Sequence, residues 1–337
     1  MGQAILHQKE MLERVGVKAT YQWDEDASAV HINTVFPDSP MAACLAHLQH
    51  RKVVYYGHST MEDFKNSFQG SNVFAPLFKR WIIHCYRLGD VIITPTPYSK
   101  RLLESYGITK PIYSLSNGVD TGFFEPSLER RAAFRIKYKL RPEDKAVISV
   151  GHYIERKGIL EFVELARSMP EVRFFWFGYT NLKLVPKRIR IAIQNAPKNL
   201  RFPGYVERDE LRDAYCGCDL FAFLSSEETE GIVVLEALAC GIPVLVRDIP
   251  VYEGWLSDGR NVYKANEPKA FKEKAMGILS GSLPDLTAFG LQAARTRDLE
   301  TVGKKLLAIY RQENILSSVY LRANDSLDAA DTINTKL

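Results

Sequence analysis

The chain of 337 residues has only five cysteines, Cys44, Cys85, Cys216, Cys218 and Cys240, and its one close pair is spaced C-x-C. An odd, scattered set excludes a disulfide scaffold, and C-x-C is not zinc-finger spacing, so reduced cytosolic thiols are expected. Net charge is small. Its 44 Lys+Arg against 40 Asp+Glu leave +4, too little for a dedicated nucleic-acid binder. No run reaches the roughly 18 uninterrupted apolar residues of a membrane-crossing helix. The opening MGQAILHQKEMLERVG carries charge from Lys9 onward and lacks the apolar stretch and cleavage site of a secretion signal. Ile5 and Leu6 follow Gly2 where a myristoylation motif wants Ser or Thr. A cytoplasmic protein is expected, soluble or peripheral on the inner face of the membrane.

Common ligand fingerprints are missing as well. There is no G-x-x-x-x-G-K-[ST], no G-x-G-x-x-G opening a helix after a strand and no helical H-x-x-x-H. These absences weigh against NTPase, dehydrogenase and metal-dependent chemistry. His47 and His50 are three apart without a third ligand and read as surface or packed histidines. No metal or other cofactor is expected.

What is present is an ordinary globular composition, 46% hydrophobic and 25% charged, at a length that suits about two domains. Helical and strand periods alternate. Residues 2–15 read as a helix, 29–35 as a strand, and Asp38 with Pro40 as cap and first-turn proline of a helix to His50. Strands follow at 52–57 and 91–94, with helices over 59–88 and 97–106. The pattern restarts after the charged stretch 121–144, with strands at 146–151, 173–178, 199–204, 220–225, 242–248 and 261–265. Helices separate these strands, and further helices at 267–280 and 285–315 close the pattern. Alternation of this kind predicts parallel sheets joined by right-handed crossovers, in two α/β, Rossmann-like domains. The expected division is 1–125, an interdomain segment 126–144, a second domain 145–297, a helix 298–317 crossing back to the first domain, and a disordered tail 318–337.

Such sheets bind ligands beyond the carboxyl ends of their strands. The most informative segment is SSEETEGIVVLEALACGIPVLVRD, 225–248. A strand ends at Ser225, an acidic loop follows, and Gly231 opens a helix whose N-terminus offers unpaired N–H groups and partial positive charge. Glu228 and Glu236, eight apart, suit acceptance of hydrogen bonds from sugar hydroxyls. A lone pair at that spacing is more often a solvated loop and an ordinary helix glutamate.

Here it has company. ETEGIVVLEALACGIPVL resembles the E-x7-E signature of the retaining glycosyltransferases of family 4. GHYIERKGILEF, 151–162, resembles that family's phosphate loop, SNGVDTGFF, 116–124, its interdomain motif, and FPGYVERDEL, 202–211, its loop near the nucleotide base. More narrowly, YYGHSTMEDFKNSF, ITPTPYSKRLLESYGI and RDIPVYEGWL are similar to the bacterial diacylglycerol glucosyltransferases. The resemblance implies a GT-B fold of two facing domains. It also implies transfer of an α-glucosyl group from UDP-glucose to the 3-hydroxyl of diacylglycerol, with retention and without metal. Glu228 is then expected on the hexose hydroxyls and Glu236 on the ribose. Gly151, Gly231, Ile232 and Val233 are expected around the sugar and diphosphate, Arg156 and Lys157 on the leaving diphosphate, Val206 at the base, and His58 near the reacting sugar.

Two departures stand out. His152 occupies a position where many members carry arginine. The chain also opens almost inside the first helix, where the family has a strand and a Gly-rich turn. A gap in the acceptor sheet is therefore expected, from either a start further upstream or a shortened, non-catalytic paralogue. A polysaccharide or other acceptor is a further alternative. Residues 64–89 hold four basic residues and no acid. Phe74, Leu77, Phe78, Trp81, Ile82 and Cys85 are expected on one helical face, with Lys79, Arg80, His84 and Arg87 opposite. That segment alone reads first as a core helix with a solvated basic face. The second reading is an interfacial helix on an anionic membrane, with Lys79, Arg80, Trp81 and Arg87 on the acceptor side. Residues 181–206 add six basic residues and no acid.

Overall fold

In the computed structural model, which describes residues 2–24, 26–65 and 70–316, the chain forms two α/β units. The elements run α1 Gly2–Arg14, β1 Ala29–Ile32, α2 Asp38–Leu48, β2 Lys52–Tyr56, α3 Met61–Phe64, α4 Ser71–Arg87, β3 Val91–Thr94, α5 Pro97–Ser105 and β4 Ile112–Ser114. They continue with α6 Leu128–Lys137, β5 Ala146–Val150, α7 Ile159–Ser168, β6 Arg173–Phe177, α8 Lys187–Gln194, β7 Leu200–Gly204, α9 Arg208–Gly217 and β8 Leu220–Phe223. The remainder are α10 Ile232–Ala239, β9 Val244–Arg247, β10 Tyr263–Ala265, α11 Pro268–Ser280, α12 Thr287–Arg295 and α13 Leu299–Gln312.

Among the described residues, the first unit comprises those up to Thr60, Leu77–Asn117 and 299–316. Its parallel sheet has the order β1-β2-β3-β4. Val53, Val54 and Tyr55 of β2 and Val91, Ile92 and Ile93 of β3 are buried, the continuous apolar reading of a parallel strand covered on both faces. Helices α1 and α13 lie over one face, where Met11, Leu12, Val302 and Leu306 share a core with Val54 and Ile93. Gly303 permits their close approach, because a Cβ there would stand 2.5 Å from the carbonyl oxygen of Met11. The four strands are hydrogen-bonded neighbours in chain order, so the expected gap does not fall between them; β1 stands at one edge, and among the described residues no strand precedes α1.

The second unit comprises Met61–Pro76 and Gly118–Asp298. Its parallel sheet of six strands has the order β10-β9-β8-β5-β6-β7, so all carboxyl ends lie along one edge. Phe174, Trp176, Leu220 and Ala222 meet Phe162, Val163 and Ala166 of α7 in its core.

Three local expectations need correction. Asp38 does not cap α2. Pro37 precedes the helix without a side-chain cap, Asp38 is its first residue, and the helix ends at Leu48. The single helix expected over 285–315 is two, α12 and α13, because the residues between them bond elsewhere. The Arg297 carbonyl accepts from the Val119 N–H at 2.9 Å, and Asp298 Oδ2 accepts from Thr121 Oγ1 at 2.6 Å. On α4, Ile82 and Cys85 are buried, whereas Phe74, Leu77 and Trp81 are exposed beside Arg80, His84 and Arg87. The buried stripe is Ser71, Ala75, Ile82, Cys85 and Tyr86, so the apolar and basic residues share the outer side instead of lying opposite each other. The tail 318–337 lies outside the described residues.

Candidate active site

The phosphate-loop motif leaves β5 at Gly151, makes a 3-10 turn over Glu155–Lys157 and enters α7 through Gly158. Gly158 has φ +77°, and a Cβ there would lie 2.4 Å from the Leu224 carbonyl oxygen. Only glycine meets both conditions. This close approach brings the turn against the end of β8, and hydrogen bonds stitch the two loops together. The Arg156 carbonyl accepts from the Ser226 N–H at 2.7 Å and from Ser225 Oγ at 2.9 Å. At the neighbouring strand ends, Gly178 lies so near Gly151 that a Cβ would fall 2.3 Å from the Gly151 carbonyl oxygen.

Into this junction point Arg156, Lys157 and Glu228. Glu228 is buried, and its Oε1 accepts from Lys157 Nζ and from Ser225 Oγ, the latter at 2.7 Å. Arg156 Nη1 lies 4.0 Å from the same oxygen and donates to the Glu227 carbonyl at 3.1 Å. Burial pushes the Glu228 carboxyl up, but Lys157, Arg156 and the hydrogen bonds outweigh it and hold the group below its ordinary range. Glu228 is therefore an ionised acceptor at neutral pH.

Three residues on, Gly231 takes φ +94° at the N-cap of α10, and Ile232 and Val233 form the first turn. The N–H groups of such a turn have no partner within the helix and point toward the strand ends. Glu236 lies one turn further in. It is buried and accepts from Tyr215 Oη at 2.9 Å. Burial raises its carboxyl to about 7, against the opposing effects of that hydrogen bond and of Arg208. Val206 sits in the loop between β7 and α9, beyond the carboxyl end of the edge strand. The structure thus brings Arg156, Lys157 and Glu228 into direct contact and sets Gly151 against the Lys157 side chain. Gly231, Ile232, Val233 and Glu236 follow along α10, and Val206 stands apart on its own loop.

In the first unit His58 follows β2. Its Nε2 is 3.1 Å from Asn33 Oδ1 and 3.4 Å from Gln8 Nε2, and its ring stacks on Tyr56. Burial lowers its pKa to about 4, so at neutral pH it is a hydrogen-bonding imidazole and not a cation. Of the residues expected at a membrane, Arg80 is exposed. Lys79 Nζ lies 4.2 Å above the Tyr106 ring, Arg87 donates to the Gly107 carbonyl at 3.2 Å, and Trp81 Nε1 donates to the Val35 carbonyl at 2.6 Å.

The model of glycosyl transferases group 1 matches residues 130–295, and that of glycosyltransferase family 4 matches 16–123. A processive diacylglycerol alpha-glucosyltransferase of Acholeplasma laidlawii is 39% identical over 316 residues, 93% of each chain. The chain belongs to the glycosyltransferases. It is a hexosyltransferase. An alpha-monoglucosyldiacylglycerol synthase of the same organism is 25% identical over 69% of this chain and 61% of its own length. Anabaena HepE, crystallised with UDP-glucose, shares the fold with a TM-score of 0.72 at 17% identity, over 91% of this chain and 82% of its own. Sucrose-phosphate synthase of Thermosynechococcus elongatus gives 0.73 at 17%, over 85% and 73%. The fold is GT-B, with two parallel α/β sheets.

Several residues of the second unit lie within the quoted runs, but nothing in those runs marks their contacts. Arg208 stacks on Phe123 at 4.1 Å and lies 3.9 Å from Asp120. Asp120 in turn accepts from the N–H groups of Gly122 and Phe123, so the interdomain motif holds its own loop as well as that arginine. Tyr252 is fully buried, with its hydroxyl 3.5 Å from where a Cβ on Gly231 would stand. The run RDIPVYEGWL contains it, but nothing in that run marks it as the floor of the α10 N-terminus. Asp63 is a third, in contact with Arg156.

Proposed function

We propose that this glycosyltransferase moves an α-glucosyl group from UDP-glucose to the 3-hydroxyl of diacylglycerol on the inner surface of the cell membrane. The observation that carries the reading is the contact of Lys157 and Arg156 with the ionised Glu228 at the end of β8. Cations fixed there oppose the charge that grows on a leaving diphosphate, without a metal. The carboxylate beside them accepts from hexose hydroxyls, and the first N–H groups of α10 complete an anion site. Support for the lipid acceptor comes from the Acholeplasma relative named as a diacylglycerol alpha-glucosyltransferase. Support for the donor comes from HepE, which holds UDP-glucose in the same fold.

Among the described residues no helix is long and apolar enough to cross a membrane, so access to a lipid acceptor falls to surface elements. On α4, Val73, Phe74, Leu77 and Trp81 are exposed next to Arg80 and Arg87. On the donor unit Leu184 and Ile191 are exposed among Lys183, Lys187 and Arg190. Apolar side chains mixed with cations suit insertion into the headgroup region of anionic lipid.

The test is a transfer assay with purified protein, UDP-glucose and diacylglycerol presented in vesicles with and without anionic lipid. The expected product is a glucosyldiacylglycerol of α configuration, formed faster on the anionic vesicles. Glu228→Gln is expected to lower turnover by about a hundredfold or more. Transfer to a polysaccharide but not to lipid, or an unchanged rate in the variant, contradicts the reading.

A further inference from the structure

Asp63, in the short helix α3, lies five residues beyond His58 in the chain and within the second unit. Its Oδ1 stands 3.0 Å from Arg156 Nη1, with the carboxylate about a quarter exposed and the guanidinium largely buried. Among the described residues, the two cations Arg156 and Lys157 are in contact with two carboxylates, Asp63 and Glu228. The charges of these four groups cancel. A diphosphate arriving at such a site meets cations that are already neutralised, and one carboxylate has to yield for the pairing to be exchanged.

The two acids are not held equally. Glu228 is fixed by Lys157 and by Ser225, and its carboxyl stays below the ordinary range. Asp63 is raised by burial and by the nearby Glu228, with the arginine opposing, so its charged form is the less secure. It also sits in a helix of one turn.

We propose that Asp63 is a placeholder, occupying on Arg156 the position that the donor's diphosphate takes and giving it up when donor binds. This inference rests on the reading of Arg156 and Lys157 as the diphosphate cations. In this role Asp63 weakens the grip on a diphosphate and speeds departure of the nucleotide product, because it recaptures Arg156 as UDP leaves. It is neither a sugar contact nor a group that moves a proton.

The experiment is calorimetric titration of the full chain with UDP, for wild type, Asp63→Asn, Asp63→Ser, Arg156→Ala and the double variant Arg156→Ala/Asp63→Asn. Thermal unfolding supplies the folded fraction of each. Arg156→Ala is expected to weaken UDP binding about tenfold, while Asp63→Asn and Asp63→Ser each tighten it by about five- to tenfold. In the Arg156→Ala background Asp63→Asn is expected to change nothing, since the contact it removes is already gone. If Arg156→Ala leaves UDP binding intact, the diphosphate reading itself fails. If Arg156→Ala weakens binding but the Asp63 variants bind UDP equally or less tightly, Asp63 merely positions the arginine and the placeholder is overturned.

Discussion

Glu228 and Glu236 are both buried, yet their carboxyls shift in opposite directions. Two cations outweigh the burial of Glu228, whereas burial dominates at Glu236 and raises it from 4.5 to about 7. The sequence spacing pairs them as like carboxylates on one ligand, and nothing in E-x7-E reveals that difference, which comes from Lys157 on another loop and from the apolar wall of α10. A folded pKa above the unfolded one means that the protonated form carries the stability. The Glu236 contribution is fully present below about pH 4.5 and is lost as pH rises through about 7. Denaturant unfolding of ligand-free protein at pH 5 and pH 8 checks this. Relative to Glu236→Gln, the wild type is expected to lose stability between those values. A parallel pH dependence in the two proteins contradicts it. His58 works in the other direction, since burial keeps it neutral down to about 4 and its contribution is lost as pH falls below 6.5.

At the scale of elements, the motif glycines decide where loops meet. Gly158 brings the phosphate turn onto the end of β8, and its conformation and its close approach each exclude a side chain. Gly158→Ala is expected to lower stability by about 2 kcal/mol or more, and with it turnover, because the strain falls on the contact that seats Lys157 against Glu228. Urea unfolding with an assay on the same preparation measures both, and full activity at wild-type stability contradicts the seating. Helix α4 shows what periodicity does not report. Its apolar residues were legible, but which of them face the core was not, because a helix apolar on much of its circumference fits more than one orientation and packing against the sheet selects among them. Val73→Glu and Leu77→Glu, at positions 79% and 66% exposed, are expected to change stability by less than about 0.5 kcal/mol. Flotation should show each variant recovered less with anionic vesicles than wild type. Unchanged flotation removes α4 from the membrane face.

For the whole molecule, strand–helix alternation made the two parallel sheets legible, since a buried parallel strand writes itself as a short apolar run such as VIIT or LFAFLS. Helical period alone runs through the break between α12 and α13 without showing it. Its cause is a pair of hydrogen bonds from residues 119 and 121 to residues 297 and 298, close to the point where the chain passes from one unit to the other. Asp63 and Tyr252 escaped for a related reason: each acts through a partner about ninety or about twenty positions away, and such pairings exist only once the sheet has assembled. The most direct measurement of the proposed donor site is a crystal structure of the protein with UDP. The pyrophosphate is expected within hydrogen-bonding distance of residues 156–158 and of the N–H groups of 231–233. A well-ordered UDP whose pyrophosphate binds elsewhere contradicts the assignment.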